Sequence, residues 1–123
     1  MIDSVPEAAQ CERALIEIAT ESWRLSRLFV RILSKLDAGE GARHLNQLRY
    51  AQKRIEESLE LASLKLVNVE GHVFDSGMAA EAINAADFQA DEKLLVDQMV
   101  EPIIMGPDGV KKQGTVLLRR AAL

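Results

Sequence analysis

The sequence predicts an α+β fold: a long helix plus a second helix forming a dimeric four-helix bundle, followed by a small, mostly β C-terminal lobe. Three observations carry this. Hydrophobic residues make up 48% of the 123 and aromatic residues only 4%, so the core is aliphatic, as helix-on-helix packing often is. Up to Leu64 the apolar residues recur at alternating steps of three and four. Beyond it they alternate in Val-rich runs separated by Gly and Pro. The expected division is a helical dimerisation hairpin at residues 1–64 and a β-rich lobe at 65–123.

The stretch "PEAAQCERALIEIATESWRLSRLFVRILSKL" reads as one helix starting after Ser4, with Pro6 and Glu7 suited to its first turn. Its seam runs through Cys11, Leu15, Ile18, Leu25, Phe29 and Ile32, in helical steps. A second seam through Ile16, Ala19, Trp23, Val30 and Leu33 lies beside it, which makes the apolar face too broad for a two-stranded coiled coil. "DAGEGA" then breaks the pattern, and a second helix is expected from Ala42 to about Leu64, with Leu48, Ile55 and Leu59 on its seam. Two helices leave one seam uncovered, whereas two hairpins cover it, so a homodimer is expected through Leu15, Ile18, Leu25, Phe29, Ile32, Leu48, Ile55 and Leu59.

In the lobe, "LKLVNVEGHVF" reads as a strand with Gly71 at a bend or bulge. Asp75 or Ser76 is expected to cap a short helix at about 76–88, supported by the Ala and Glu of "GMAAEAINAADF". "KLLVDQMVEPIIM" and "TVLLRRAAL" read as β-segments joined through the turn "GPDG".

Charge and composition narrow the function classes. A net charge of −4 offers no global attraction to nucleic acid or anionic lipid. Arg24, Arg27, Arg31 and Lys35 beside Trp23 and Phe29 could describe a membrane-surface helix, and Arg43, Arg49, Lys53 and Arg54 a nucleic-acid patch; a solvated helix face is preferred for both, so neither partner is expected. The single Cys11 is expected as a small buried hydrophobe. The acidic N-terminus lacks the pattern of a signal peptide and charges interrupt every apolar run, so a cytoplasmic protein is expected. His44 and His72 have no metal-ligand spacing, and nothing in the sequence pairs Asp75, Glu81, Asp87 or Glu101 for acid–base work. No enzyme activity, metal or cofactor is expected. Met78, Met99, Pro102 and Met105 are candidates for an adaptable partner-facing surface, and Arg119 for a charged contact or for an internal bridge to Asp75 or Glu101.

The order of elements, together with "FDSGMAAEAI" and "GVKKQGTVLLRRA", resembles the GrpE family of nucleotide exchange factors. Phe74, Asp75, Glu81, Ala82 and Ile83 match the family's Phe-Asp-Pro turn and following His-Glu-Ala run, with Ser76 and Ala80 in place of the proline and histidine and one residue extra. Gly109, Gly114, Leu117, Leu118, Arg119 and Ala121 match its closing motif, with Val110 for the aromatic residue and Arg120 for the proline. The resemblance implies a homodimeric co-chaperone whose lobe opens the nucleotide-binding domain of a DnaK-type chaperone and releases ADP. From the resemblance and the adaptable residues above, the partner contact is expected on Asp75, Glu81, Met99, Pro102, Met105 and Arg119. A dimeric scaffold or adaptor of the same architecture, without exchange activity, is the alternative.

Overall fold

The computed structural model describes residues 4–121, with side chains from residue 7 onward. The chain forms two compact units that divide between Leu64 and Lys65.

The first unit holds α1 (Ser4–Leu33) and α2 (Ala38–Glu60). The side chains expected to start α1, at Ser4 and Pro6, lie outside the described ones. The helices run antiparallel: Ser26 Oγ of α1 donates to Gln52 Oε1 of α2 at 3.1 Å, and Leu33 and Ala19 share grooves with His44 and Leu59 respectively. Among the described side chains the buried residues of α1 are Ala19, Thr20 and Trp23, with Leu59 on α2 and Leu64 after it. Thr20 enters this apolar set because its hydroxyl donates to Ile16 O at 2.8 Å, so no donor is left unmade. Arg27 lays its guanidinium over the Trp23 ring, 4.2 Å from the centroid.

The break between the helices is shorter than the sequence suggests. Asp37 is the N-cap of α2 and accepts from Glu40 N–H at 3.0 Å, so Gly39 and Gly41 fall inside the helix instead of before it. Gly41 has a steric role: a Cβ there would stand 3.0 Å from the Leu33 carbonyl oxygen, where the two chains approach across the turn.

Helix α2 also ends earlier than expected. Ser63 adopts the left-handed region at φ 59°, Leu64 N–H bonds Leu59 O at 3.0 Å and Ser63 N–H bonds Glu60 O at 2.9 Å, the pattern of a Schellman ending. Leu59 and Leu64 supply the apolar contact typical of that ending, since both are buried. A Cβ is strained at this φ, so Ser63→Gly is expected to stabilise the unit by about 0.5–1 kcal/mol, seen as a rise in thermal midpoint. An unchanged or lower midpoint would mean the serine is not strained.

The second unit contains two three-stranded sheets. β1 (Lys65–Val67), β4 (Ile103–Gly106) and β5 (Gly109–Lys112) form an antiparallel sheet in the order β1-β4-β5. β2 (Ala80–Ala82), β6 (Gly114–Arg120) and β3 (Leu94–Glu101) form the other in the order β2-β6-β3, with β2 parallel to β6. Pro102 separates β3 from β4, as a residue without an N–H would, and Pro107 and Asp108 turn β4 into β5 with Gly109 at φ 129°. Both sheets feed one core, built from Leu66, Ile103 and Ile104 on one side and Val96, Met99, Val116 and Leu118 on the other. It leaves no room at Gly114, where a Cβ would come within 2.9 Å of both Ile103 Cγ1 and Met99 Cε.

Two expectations for the lobe need correction. The run "LKLVNVEGHVF" is not one strand: β1 stops at Val67, Gly71 turns the chain at φ 85°, and the segment then lies along β3, with Gly71 N–H to Val96 O at 2.8 Å, Val96 N–H to His72 O at 2.9 Å and Phe74 N–H to Leu94 O at 2.9 Å. The helix expected at 76–88 is replaced by a turn, the strand β2 and a single 3-10 turn at Ala85–Asp87. Asp75 Oδ1 accepts from Gly77 N–H at 2.8 Å and so closes a turn instead of capping a helix. The physical reason is tertiary. Ala80–Ala82 pairs with Gly114–Val116, and Asn84 clamps the backbone of Leu118, accepting from its N–H at 2.9 Å and donating to its carbonyl at 3.0 Å. Helix propensity differs by only about 1 kcal/mol or less per residue among ordinary side chains, and so short a helix is marginal by itself.

Candidate functional site

Each unit presents one surface with functional potential. On the helical unit it is the seam of α1. Leu15, Ile18, Leu25, Phe29 and Ile32 remain exposed, although they form a continuous stripe over five helical turns. The second seam has found its partner: Ile16, Ala19, Trp23, Ser26, Val30 and Leu33 are all buried or half-buried. Between the helices the stripe opens into two apolar grooves. Phe29, Ile32 and Leu33 face His44, Gln47 and Leu48 across one, and Leu15 and Ile18 face Arg54, Ile55 and Ser58 across the other. Leu48 and Ile55 are half-buried groove walls, whereas Leu59, expected at the dimer interface, is already buried at 3% exposure in a single copy. Cys11, expected to be buried, is exposed.

On the lobe the candidate surface is the outer face of the sheet β2-β6-β3. Residues alternate along β6, so Val116 and Leu118 point into the core while Thr115, Leu117 and Arg119 point away from it. Register then brings their neighbours to the same face: Glu81 and Glu101 flank Thr115, Gln98 adjoins Leu117, and Leu95 adjoins Arg119. Glu101 Oε1 accepts from Thr115 Oγ1 at 3.0 Å and lies 3.4 Å from Lys112 Nζ. Arg119 Nε meets Asp97 Oδ1 at 3.2 Å, with both side chains about half exposed.

This arrangement sorts the expected contact residues. Glu81 and Arg119 share the outer face, and Asp75 is exposed in the turn alongside Gly77. Met105 is half-buried on β4, in the other sheet. Met99 and Pro102, expected to face a partner, are instead among the most deeply buried residues of the lobe. Their chemistry explains the difference: Met99 fills the space between the sheets, its thioether accepting from Val69 N–H at 3.2 Å, and Pro102 sits where the chain passes from one sheet to the other. Arg119 bridges neither Asp75 nor Glu101. Its partner Asp97 was not singled out in the sequence, because a register shift between Val96 and Gln98 decides which acid reaches it. The neighbouring Arg120 pairs with Glu92 at 2.9 Å and lies over the Phe88 ring.

Among the described residues no group of three or more His, Cys, Asp and Glu side chains is placed to hold a metal ion. No helix among them is long and apolar enough to cross a membrane. Comparison of the chain with protein-family models, with curated proteins and with solved structures finds no match.

Proposed function

We propose that the chain is a homodimeric, GrpE-like co-chaperone that promotes ADP release from a DnaK-type chaperone in the cytoplasm, with the helical unit as dimer platform and the lobe as contact surface. The observation that supports the reading most is the separation of two surfaces. An uncovered apolar stripe on a helical hairpin calls for a second copy, while a distinct β-lobe presents Glu81 and Arg119, two positions of the family-like motifs, on one sheet face. The exposed Arg119–Asp97 pair is suited to exchange: such pairs are worth only about 0–1 kcal/mol, so Arg119 can leave Asp97 for an acid on the chaperone at little cost. Exchange needs no reacting side chain. It follows from tighter binding to the open, nucleotide-free state of the chaperone than to the closed one.

The test is the release rate of a fluorescent ADP analogue from the chaperone with and without this protein. Arg119→Ala is expected to weaken the acceleration roughly tenfold, equivalent to about 1.4 kcal/mol of contact, with helicity and dimerisation unchanged. Acceleration that survives deletion of residues 65–123 would overturn the placement of the site. No acceleration by the intact protein would overturn exchange activity and favour the dimeric adaptor.

A further inference from the structure

We propose that the contact with the chaperone is centred on four aliphatic side chains, Val73, Ile83, Leu95 and Leu117, which form a band across the outer face of the sheet β2-β6-β3 between Glu81 and Arg119. This placement rests on the exchange reading above and adds to it the chemistry that the chaperone must present.

Strand register assembles the band in rows. Val73 is bridged to Leu95 and Leu95 pairs with Arg119, so the three stand side by side on one face. Ile83 N–H donates to Val116 O at 3.1 Å, which carries the parallel ladder one residue past Ala82 and sets Ile83 beside Leu117. Alternation along β6 turns Leu117 and Arg119 to the same side, opposite to the buried Val116 and Leu118. The band therefore starts at the β2 edge with Ile83, crosses β6 at Leu117 and passes over Leu95 to Val73. Its members come from four separate segments of the chain, and only the register brings them together.

A sheet face turned away from the core ordinarily carries polar residues. This one departs from that pattern. Among the described residues of the lobe three large aliphatic side chains are exposed, Val73 at 49%, Ile83 at 59% and Val110 at 47%, and two of the three belong to the band. Leu95 and Leu117, between them, are half-buried. Aliphatic surface left in water is unfavourable, and a contiguous patch of it marks a contact.

Charge frames the band and defines what fits it. Glu81 is exposed beside Thr115, and Arg119 lies four residues further along β6, a spacing of about 13 Å at about 3.3 Å per residue. Arg119 is held only by its exposed pair with Asp97. Glu101, by contrast, is engaged within the lobe by Thr115 and Lys112. The complementary surface is an aliphatic ledge with a cation at one end, for Glu81, and an acid at the other, for Arg119. The second copy has its own place on the α1 stripe, so this face is left for the chaperone. An apolar centre of four side chains is small, which suits a partner that is bound and released in every nucleotide cycle.

The double variant Val73→Thr with Ile83→Thr tests the band, because threonine keeps the β-branched shape that a strand favours while adding a hydroxyl to the exposed surface. The dissociation constant for the nucleotide-free DnaK-type chaperone, measured by calorimetry with the full-length protein, should rise roughly tenfold, and the release of the ADP analogue should slow in step. Val110→Thr is the control: Val110 is similarly exposed but lies on β5, in the other sheet, and its substitution should change neither quantity. Leu117→Asp, at the middle of the band, should raise the dissociation constant roughly a hundredfold or more, with amide hydrogen exchange of β6 as the control for folding. If that variant unfolds, the threonine pair still decides. Threonine variants that bind as the wild type does would overturn the band and leave the exchange reading intact, as would equal weakening by Val110→Thr. A rise in the dimer dissociation constant, in place of weaker chaperone binding, would assign the face to the second copy and also overturn the proposal. A wild-type protein that neither binds the chaperone nor speeds ADP release would overturn the band and the exchange reading together.

Discussion

Met99→Ala is expected to destabilise the lobe by about 2–5 kcal/mol, the range for emptying a well-packed core site of a large aliphatic side chain. Met99 is fully buried and touches the space where both sheets meet: its Cε lies 2.9 Å from where a Gly114 Cβ would stand, and its sulfur accepts the Val69 N–H. Truncation removes the packing and strands that donor in the same step. Collapse around the cavity is limited, because the Met99 backbone is held by pairing with Val116 and by its N–H donating to Glu70 Oε2 at 2.8 Å. The measurement is amide hydrogen exchange resolved by peptide. Protection across β3, β4 and β6 should fall roughly thirtyfold or more, the equivalent of about 2 kcal/mol, while α1 and α2 keep theirs. Met99→Leu conserves volume and is expected to cost less than about 1.5 kcal/mol. Unchanged protection in the alanine variant would show that Met99 is not a keystone of this core.

Replacing Leu25 and Phe29 together by Asp is expected to abolish dimerisation at micromolar concentration. Both side chains are roughly half exposed in a single copy, at 54% and 45%, so the carboxylates are tolerated by the isolated hairpin but not by an interface that closes over them. Loss of the apolar contact alone is worth about 2 kcal/mol for each side chain, and burying an unpaired charge adds to it, so the dissociation constant should rise by about three orders of magnitude or more. Sedimentation equilibrium measures this, with far-ultraviolet circular dichroism as the control for helicity. A double variant that remains a dimer would remove the stripe from the interface. One that loses its helices as well would show that the hairpin depends on the dimer for folding.

Before any tertiary information, the order of apolar residues was enough to place α1 along its whole length, because the helical period is a local property repeated over many turns. The same period exposed the two seams of α1, and the structure covers one of them with α2. The place of the turn through Pro107 and Asp108 was equally legible, since the conformations of Gly and Pro are set by their own covalent geometry. The turn joins β4 to β5, however, instead of to the strand "TVLLRRAAL", and "KLLVDQMVEPIIM" divides at Pro102 into strands of two different sheets.

What the sequence could not decide were the places where two local preferences compete or where a long-range partner chooses. Residues 76–88 carry helix-favouring composition, yet β6 takes their backbone hydrogen bonds, and no pattern within the segment records that β6 will be there. Met99 and Pro102 read in sequence as candidates for a partner-facing surface, and only the packing of one sheet on the other buries them. Arg119 was identifiable as a charged strand-end residue, but its pairing with Asp97 depends on a β3 bulge that shifts the register by one residue and changes which acid comes within reach. Periodicity, turn chemistry and the sign pattern of charge are written over short distances and survive reading in one dimension; burial, register and choice of partner arise when segments distant along the chain compete for the same hydrogen bonds and the same space.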